Sequence, residues 1–362
     1  MKFVNVLAIV LVAIFSSCSK KEAFTVTGKT NYTGQVYLNE LKGYQFNAID
    51  TADITNGVFT FTGHVMSCDQ YFLTFENKKG SYGFFLDNEE INIETSDEHP
   101  YFSQVTKSPL NLEYQTFSTK MNDLVKKQSE ERQKYYAEKD EQKRNALLTV
   151  LQSYGQKQSE LAQTTFNQNI NKPYASTILA QYLKNSFTLD QLDSVLAKMP
   201  VEAKSNNAAK MLIADIENQR KSAEGQPYIN ITQPCPNGEI ISLKDVLADN
   251  KCVLIDFWAS WCSPCIASMP EFKRLYETYK DQGFEIYAVS VDSKKDAWVR
   301  AIKSHELPWV HVSELKGWNT KAKSDYAVKG VPSTVLINKD GVIVAKNRHG
   351  EALEEAIKEC LK

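Results

Sequence analysis

The chain has 362 residues, a hydrophobic content of 42% and a formal net charge of −2 at pH 7. Its length exceeds that of one average domain and its apolar content is sufficient for ordinary buried cores, so we expect several folded domains. The near-neutral charge, together with the lack of a basic patch interleaved with aromatic residues, argues against nucleic acid as a partner.

The first eighteen residues have the pattern of an export signal. Lys2 is followed by an apolar run, Val4–Phe15, and then by small residues directly before Cys18. Residues 1–18 resemble a bacterial lipoprotein signal peptide. The resemblance implies that Cys18 is lipidated and holds the protein on the periplasmic side of a bacterial membrane, with the choice between inner and outer membrane left open. The alternative, an uncleaved anchor, would need roughly twenty apolar residues to span the bilayer.

Short segments of alternating apolar and polar residues predict a small antiparallel β domain over residues 19–105. Two such segments are Gln35–Leu38 and Val58–Phe61, and Asn56-Gly57 is a hairpin signal. The region resembles a β-rich domain of unknown function found in some Gram-negative lipoproteins. Four of its aromatic residues fit either a partner surface or, as we favour, a core: Tyr71, Phe72, Phe75 and Tyr82.

Residues 106–225 are predicted to form a helical spacer or bundle. They are poor in glycine and rich in glutamine, lysine, glutamate, alanine and leucine. The charged run Lys126–Arg144 predicts a solvated helix. Acidic residues balance the basic ones in this run, which argues against a helix that binds a membrane surface.

The segment after residue 225 contains two cysteines at a predicted junction between a strand and a helix. Val253–Trp258 is apolar enough for a buried strand, and Trp261-Cys262-Ser263-Pro264-Cys265 follows it. At a helix N-terminus, unpaired N–H groups and the helix dipole stabilise a thiolate at Cys262. We therefore expect Cys262 to attack a disulfide and Cys265 to resolve the mixed disulfide.

Asp256 is the one carboxylate within the buried strand. Burial would raise its pKa, so that it could exchange a proton with Cys265. The alternative is a buried carboxylate satisfied by hydrogen bonds and without a catalytic part. For the cysteine pair, the alternatives are half of a zinc site or a structural disulfide, but no second pair of ligands at zinc spacing appears in the sequence.

Further strands and helices follow in alternation, which predicts a parallel core. Phe284–Val291 reads as a buried strand, and residues 297–303 as an amphipathic helix. Lys339-Asp340-Gly341 predicts a hairpin, and Glu351–Leu361 a final helix.

The residues 255–265, IDFWASWCSPC, are similar to the active-site segment of thioredoxins, and especially of the TlpA/ResA-like extracytoplasmic thiol-disulfide oxidoreductases. Asp256 and Pro270 stand at the positions of that family's buried acid and helix proline. Gly330–Thr334 resembles its cis-proline loop, with the cis bond at Val331-Pro332. The resemblance covers approximately residues 226–362 and implies a thioredoxin-like α/β domain there, behind the β domain and the helical region. One departure is Ser268, where many members have an acidic residue.

The resemblance also implies a groove in which substrate binds. Its walls would be Trp261, Ser263, Pro264, Val331 and Pro332, around a redox disulfide between Cys262 and Cys265.

Neither a metal nor a cofactor is predicted. The five histidines form no ligand cluster, and no nicotinamide or flavin site is recognised. Four further cysteines are structural or free, and their three possible pairings stay open: Cys68, Cys235, Cys252 and Cys360.

We therefore expect an extracytoplasmic thiol-disulfide oxidoreductase that reduces disulfides in substrate proteins. It would receive electrons from a membrane thiol carrier and would be attached to the membrane through its lipid. The alternatives are a dithiol oxidase or isomerase of the same fold, a thiol peroxidase, and a binding lipoprotein with an accessory redox domain.

Overall fold

The computed structural model describes residues 22–42 and 45–362, so the predicted signal peptide and Cys18 lie outside the described residues. The chain divides into two compact units. Of the described residues, the first contains 22–40, Phe46–Ile178 and Val201–Asn206, and the second is formed mainly by Leu179–Pro200 and Asn207–Lys362. The predicted helical segment 106–225 therefore contributes to both units, and its boundaries stay a prediction. Within the described part of the chain, no helix is both long and apolar enough to cross a membrane.

Eight strands form the β part of the first unit: β1 Phe24–Lys29, β2 Gln35–Lys42, β3 Gln45–Asp53, β4 Val58–Gly63, β5 Asp69–Phe75, β6 Lys78–Leu86, β7 Glu90–Glu94 and β8 Gln104–Lys107. They make two four-stranded sheets, ordered β4-β1-β7-β8 and β3-β2-β5-β6. Alternation along the strands buries one face, as β4 shows with Phe59 and Phe61. Asn56 and Gly57 both have positive φ, as a tight two-residue hairpin turn requires.

The aromatic residues of this region are mainly core. Phe75 and Tyr82 are buried in the cluster that joins the two sheets, which confirms the core interpretation for both. Tyr71 packs against the same cluster while partly buried. Phe72 is partly buried beside Phe46, with ring centroids 5.1 Å apart.

Six helices follow: α1 Pro109–Ala137, α2 Glu141–Gln168, α3 Pro173–Ile178, α4 Leu189–Lys198, α5 Val201–Lys204 and α6 Asn207–Lys221. The charged run 126–144, predicted as one solvated helix, is instead divided between α1 and α2. The Glu138 carboxylate accepts the N–H of Lys139 and of Asp140, and Asp140 caps α2 by accepting the N–H of Lys143. These local bonds compete with the helical ladder, which is why the helix ends here.

The remaining elements belong to the second unit. Its strands are β9 Thr232–Pro234, β10 Ile240–Ser242, β11 Cys252–Trp258, β12 Phe284–Ser290, β13 Val310–Val312, β14 Ser333–Asn338 and β15 Ile343–Lys346. Its later helices are α7 Leu243–Ala248, α8 Ser263–Tyr279, α9 Lys295–Ser304, α10 Lys321–Asp325 and α11 Glu351–Cys360. The predicted strands, hairpin and helices of this region are all present.

The central sheet of this unit has the order β13-β12-β11-β14-β15. β11 is parallel to β12 and antiparallel to β14, so the predicted parallel core is one side of a mixed sheet. Every residue of β11 is buried, which accounts for its continuous apolar sequence. Leu254 and Trp258 face one core cluster, whereas Val253 and Phe257 face the other.

A disulfide joins the first residue of β11, Cys252, to the last residue of α11, Cys360. It is one of the pairings that the sequence left open. Cys68 and Cys235 are buried free thiols. Burial raises the pKa of the Cys68 thiol far above its usual range, with nearby carboxylates adding to the effect.

Candidate redox site

Cys262 and Cys265 form a disulfide at the N-terminus of α8. Cys262 is the N-cap residue, and its Sγ accepts the N–H of Cys265 at 3.2 Å. Pro264 occupies the first turn, where its missing N–H removes no helical bond. Cys262 is 4% exposed and Cys265 is 2% exposed. In the reduced protein, the same N–H group and the helix dipole would stabilise a thiolate at Cys262.

Asp256 lies on the cysteine side of the sheet. Side chains alternate along β11, so Asp256 shares a face with Leu254 and Trp258, which pack in one cluster with Cys262 and Cys265. Asp256 is 1% exposed, and no described residue hydrogen-bonds to either carboxylate oxygen. A carboxylate satisfied inside the protein is therefore not what this site contains.

Burial without a partner changes the acidity of this carboxyl. Desolvation raises the pKa of Asp256 to about 7. A carboxyl with that pKa can hold a proton or accept one near neutral pH, as a proton carrier for a thiol must.

The Val331–Pro332 peptide bond is cis, as the resemblance predicts. It leads directly into β14, whose first residue Ser333 pairs with Phe257 near the end of β11. Val331 packs against the core cluster that contains both cysteines of the disulfide. The fold thus brings this loop to the end of β11 where the disulfide lies.

The predicted groove residues next to the cysteines face solvent. Ser263 and Pro264 are exposed, and Trp261 is 56% exposed. Ser268, the departure from the family pattern, donates its hydroxyl to the carbonyl of Pro264 at 3.2 Å, within its own helix. An accessible surface therefore surrounds a nearly buried disulfide.

Trp318 also lies at this surface, and the sequence did not indicate it. Its ring centroid is 6.2 Å from that of Trp261. The Lys323 ammonium stands 5.1 Å above the Trp318 ring. The two indoles are far apart in the sequence, so only the fold brings them together.

Asp292 is a second residue that sequence reasoning missed. Its carboxylate accepts the N–H of Ser260 at 2.9 Å and the Ser260 hydroxyl at 2.7 Å. The Ser290 hydroxyl also donates to Asp292, at 2.8 Å. The sequence signal that could have found it was an acidic residue two positions after β12, a strand parallel to β11, because the ends of parallel strands meet at one edge of a sheet. Asp292 thereby fixes the loop that leads from β11 to Cys262.

His311 is buried in the core beside two tryptophans. It is 5% exposed, with its ring centroid 5.8 Å from that of Trp258 and 5.9 Å from that of Trp309. Burial lowers the pKa of His311 to about 4, so it is neutral at physiological pH. Among the residues that the structure describes, no group of three or more His, Cys, Asp or Glu side chains is arranged to hold a metal ion.

Comparison with known proteins gives two family matches. Residues 225–346 match the AhpC/TSA family, and residues 24–114 match a domain of unknown function, DUF4369. The thiol-disulfide oxidoreductase ResA of a Bacillus cereus strain is 38% identical over 129 residues, which is 36% of this chain and 72% of ResA. ResA of Bacillus thuringiensis subsp. konkukian is 34% identical over 144 residues, which is 40% of this chain and 80% of that protein.

A solved structure is also similar to part of the chain. A thiol-disulfide oxidoreductase from Bacteroides fragilis is 32% identical, with a TM-score of 0.36, and the match covers 37% of this chain and 98% of that chain.

Proposed function

Because the chain belongs to the ResA-like thiol-disulfide oxidoreductases of thioredoxin fold, we propose that it reduces disulfides of substrate proteins outside the cytoplasm by exchange through Cys262 and Cys265. The predicted fold class is confirmed, with a thioredoxin-like C-terminal domain, a helical middle region and an N-terminal β domain of the DUF4369 type. The observation that carries the proposal is the disulfide at the N-terminus of α8, beside an exposed surface.

In the first step, the Cys262 thiolate attacks one sulfur of a substrate disulfide. A Cys262–substrate bond forms, the substrate S–S bond breaks, and the departing substrate sulfur leaves as a thiolate that takes a proton from solvent. The N-cap position favours this step because it stabilises the attacking thiolate.

In the second step, Cys265 loses its proton to the Asp256 carboxylate and attacks the Cys262 sulfur. The Cys262–Cys265 disulfide forms, and the second substrate sulfur leaves as a thiolate. Two electrons have then passed from the protein to the substrate, and a membrane thiol donor must reduce the Cys262–Cys265 disulfide before the next cycle. Asp256 suits this role because burial raises its pKa to about 7.

The groove residues position the substrate in this scheme. Trp261, Ser263 and Pro264 offer an exposed surface on one side of the disulfide. Val331 and Pro332 stand at the entry to β14, beside the end of β11, where an extended substrate segment would lie across the cysteines.

Attachment to the membrane is part of the proposal. Cleavage before Cys18 would remove the signal peptide, and Cys18 would then be lipidated on the periplasmic side. The Cys252–Cys360 disulfide supports an extracytoplasmic location, because such bonds persist in oxidising compartments and are rare in the cytosol.

Trapping of the mixed disulfide tests the proposal. The reduced full-length protein, extracted in detergent, is mixed with oxidised insulin as a disulfide substrate. Cys265→Ser should accumulate a covalent adduct with an insulin chain that dithiothreitol releases, whereas Cys262→Ser should form none. Absence of the adduct, or an equal yield from the two variants, would contradict the assignment.

Assays of the same protein distinguish the proposed reductase from the alternative functions. A thiol peroxidase would consume hydrogen peroxide faster than it exchanges disulfides, but Ala259 stands three positions before Cys262, where such enzymes have threonine. A dithiol oxidase or isomerase would instead oxidise or rearrange a reduced substrate. A binding lipoprotein would keep its partner after both Cys262→Ser and Cys265→Ser.

A further inference from the structure

Six lysines lie on the segments that surround the redox disulfide, and we name them the basic rim. They are Lys294, Lys295, Lys316, Lys321, Lys323 and Lys329. Five of them are exposed, and Lys323 is partly buried over the Trp318 ring. The same segments carry four acidic residues, the buried Asp292 and also Asp296, Glu314 and Asp325.

Contacts within the second unit place these segments next to Cys262. Asp292 holds Ser260, two residues before Cys262, and Lys294 follows Asp292 by two residues. The N–H of Gly317 donates to the Asp292 carbonyl at 3.4 Å, which brings the Lys316 segment to the same edge. Lys329 precedes Val331 of the proline loop by two residues. The basic rim is therefore a feature of the end of the sheet at which the disulfide lies.

The local charge is opposite in sign to that of the chain. The whole chain has a net charge of −2, yet lysines outnumber acids on these segments. Glu314 lies 3.4 Å from Lys316 and Asp325 lies 2.6 Å from Lys321, so each of these two acids neutralises one rim lysine and the other four lysines make the excess over the remaining two acids. A local excess of one sign steers oppositely charged partners and favours the encounter with them.

The position of two rim lysines is unfavourable for the helix that carries them. Lys294 is the N-cap of α9 and makes no capping bond with its side chain, and Lys295 is the first helical residue. A cation at a helix N-terminus is repelled by the helix dipole, so neither lysine stabilises α9. Asp296 in the first turn offsets part of this repulsion. Charges that oppose local stability indicate a role at the surface.

Trp261 and Trp318 give the same surface an apolar centre. Both indoles are accessible, with Trp261 56% exposed and Trp318 partly exposed. Tryptophans that are surrounded by polar residues are typical of the centres of protein-binding surfaces. An apolar side chain of a partner would cover these rings while its carboxylates meet the rim.

We propose that the surface formed by Trp261, Trp318 and the basic rim selects substrate proteins in which a disulfide cysteine is flanked by acidic residues and an apolar side chain. This inference rests on the proposed function and specifies its substrate class. The chemical step is the exchange described above, and the surface changes only the rate of productive encounter.

Three disulfides test this selectivity with the reduced full-length protein. Two are cyclic peptides of one sequence with a disulfide and an apolar residue, flanked by glutamates in one and by lysines in the other. The third is hydroxyethyl disulfide, which is small and uncharged. At low salt, the acidic peptide should be reduced about tenfold or more faster than the basic one, and the ratio should shrink in about 0.5 M salt.

Charge reversal locates the effect on the protein. Lys294→Glu with Lys295→Glu should bring the ratio of the two peptide rates close to one or below it. The matched control is Lys251→Glu with Lys339→Glu, two exposed lysines at the opposite end of the sheet, which should keep the ratio of the unaltered protein. Trp318→Ala should slow both peptides, and Trp318→Phe should restore much of their rate.

The outcomes separate this inference from the proposed function. Equal rates for the two peptides, or a ratio that the rim reversal leaves unchanged, would overturn the docking surface while reduction of hydroxyethyl disulfide upholds the exchange activity. If the unaltered protein reduces none of the three disulfides, the proposed function is overturned, and the docking surface with it.

Discussion

The two ends of strand β11 carry the same kind of bond in different settings. Cys252 begins the strand and is bonded to Cys360, 108 residues away, whereas Cys262 follows the strand and is bonded to Cys265, three residues away. By loop entropy, the long bridge stabilises the fold by about 5 kcal/mol and the short one by about 2 kcal/mol. The fold therefore depends more on the bond at the start of the strand.

The two disulfides also differ in how deeply their surroundings are buried. Cys252 is fully buried and lies in a strand that is paired on both sides. Cys262 caps a helix, beside the exposed Ser263 and Pro264. In the proposed mechanism, location separates the structural disulfide from the reactive one, since the chemistry of the bond is the same.

Removal of Cys262 should produce the largest effect. Cys262→Ser should lower the rate of disulfide exchange on the order of a thousandfold or more, because the attacking group is lost. Unfolding in urea should change less than after loss of the long bridge, since the shorter loop contributes less to stability. The rate is measured by single-turnover reduction of oxidised insulin, and a variant that keeps a tenth of the activity would contradict the assignment.

Removal of the Cys252–Cys360 disulfide should instead lower stability and leave the exchange activity in place. Cys252→Ala with Cys360→Ala should lower the unfolding free energy by roughly 4–5 kcal/mol while exchange continues under folding conditions. Urea unfolding of both proteins, followed by circular dichroism, measures the difference. Cys68→Ala is the matched control for loss of a buried thiol that makes no disulfide. Lost exchange in a double variant that remains folded would show that the two ends are not separate in function.

Asp256 should link stability to pH. Its pKa is about 7 in the folded protein, against an ordinary value of 3.8 for an aspartate in water. Between these pH values the folded state holds a proton that the unfolded state has released, so the contribution of Asp256 to stability is greatest below pH 3.8 and falls as pH rises to about 7. The loss amounts to about 4 kcal/mol.

Asp256→Asn should remove this pH dependence and slow the resolving step, because an amide accepts no proton from Cys265. Unfolding of the oxidised protein at about pH 4.5 and about pH 8, on either side of the raised pKa, measures the first effect. Decay of the mixed disulfide measures the second. Asp340→Asn, in an exposed turn, should preserve both. If Asp256→Asn retains the pH dependence of the unaltered protein, the pKa of Asp256 is not raised.

The Asp292 contacts should have the smallest effect of the four. Ser260→Ala removes the hydroxyl bond to Asp292 and should lower stability by about 1 kcal/mol. As a positioning residue, Asp292 should also affect the thiol, and Asp292→Asn should shift the pH midpoint of Cys262 alkylation. Ser260→Ala should shift this midpoint as well, whereas Ser260→Thr, which keeps the hydroxyl, should have the midpoint of the unaltered protein. An unchanged alkylation midpoint in Asp292→Asn would show that the contact between Asp292 and Ser260 has a structural role only.

Local sequence signals predicted the elements around the end of β11 that leads to Cys262. An apolar run ending before Cys262, the helical spacing after Cys265 and the Asp-Gly turn at residues 340–341 each specify a structure within a few residues. The resemblance supplied the proline loop.

Contacts between distant segments were not predictable in this way. Trp258 pairs with Ser290, and that register brings Asp292 to Ser260. Trp318 reaches Trp261 in a similar manner, from a loop far along the chain. Cysteine spacing alone gave three pairings, and only the docking of α11 against the sheet selects Cys252 with Cys360.

The break between α1 and α2 was missed for a different reason. The composition of residues 126–144 favours a helix throughout, but Glu138 and Asp140 turn their carboxylates onto nearby backbone N–H groups. Competition between a side chain and the backbone depends on conformation, and charge patterning does not report it.

A redox titration that resolves both disulfides tests the central claim most directly. The full-length protein is equilibrated in glutathione and dithiothreitol buffers, its thiols are alkylated, and each pair is quantified by mass spectrometry. We predict a midpoint potential near or below about −220 mV for Cys262 and Cys265, with Cys252 and Cys360 still bonded until below about −300 mV. A midpoint near about −120 mV for Cys262 and Cys265 would contradict a reducing role, and earlier opening of the Cys252–Cys360 bond would contradict the division between the two ends of β11.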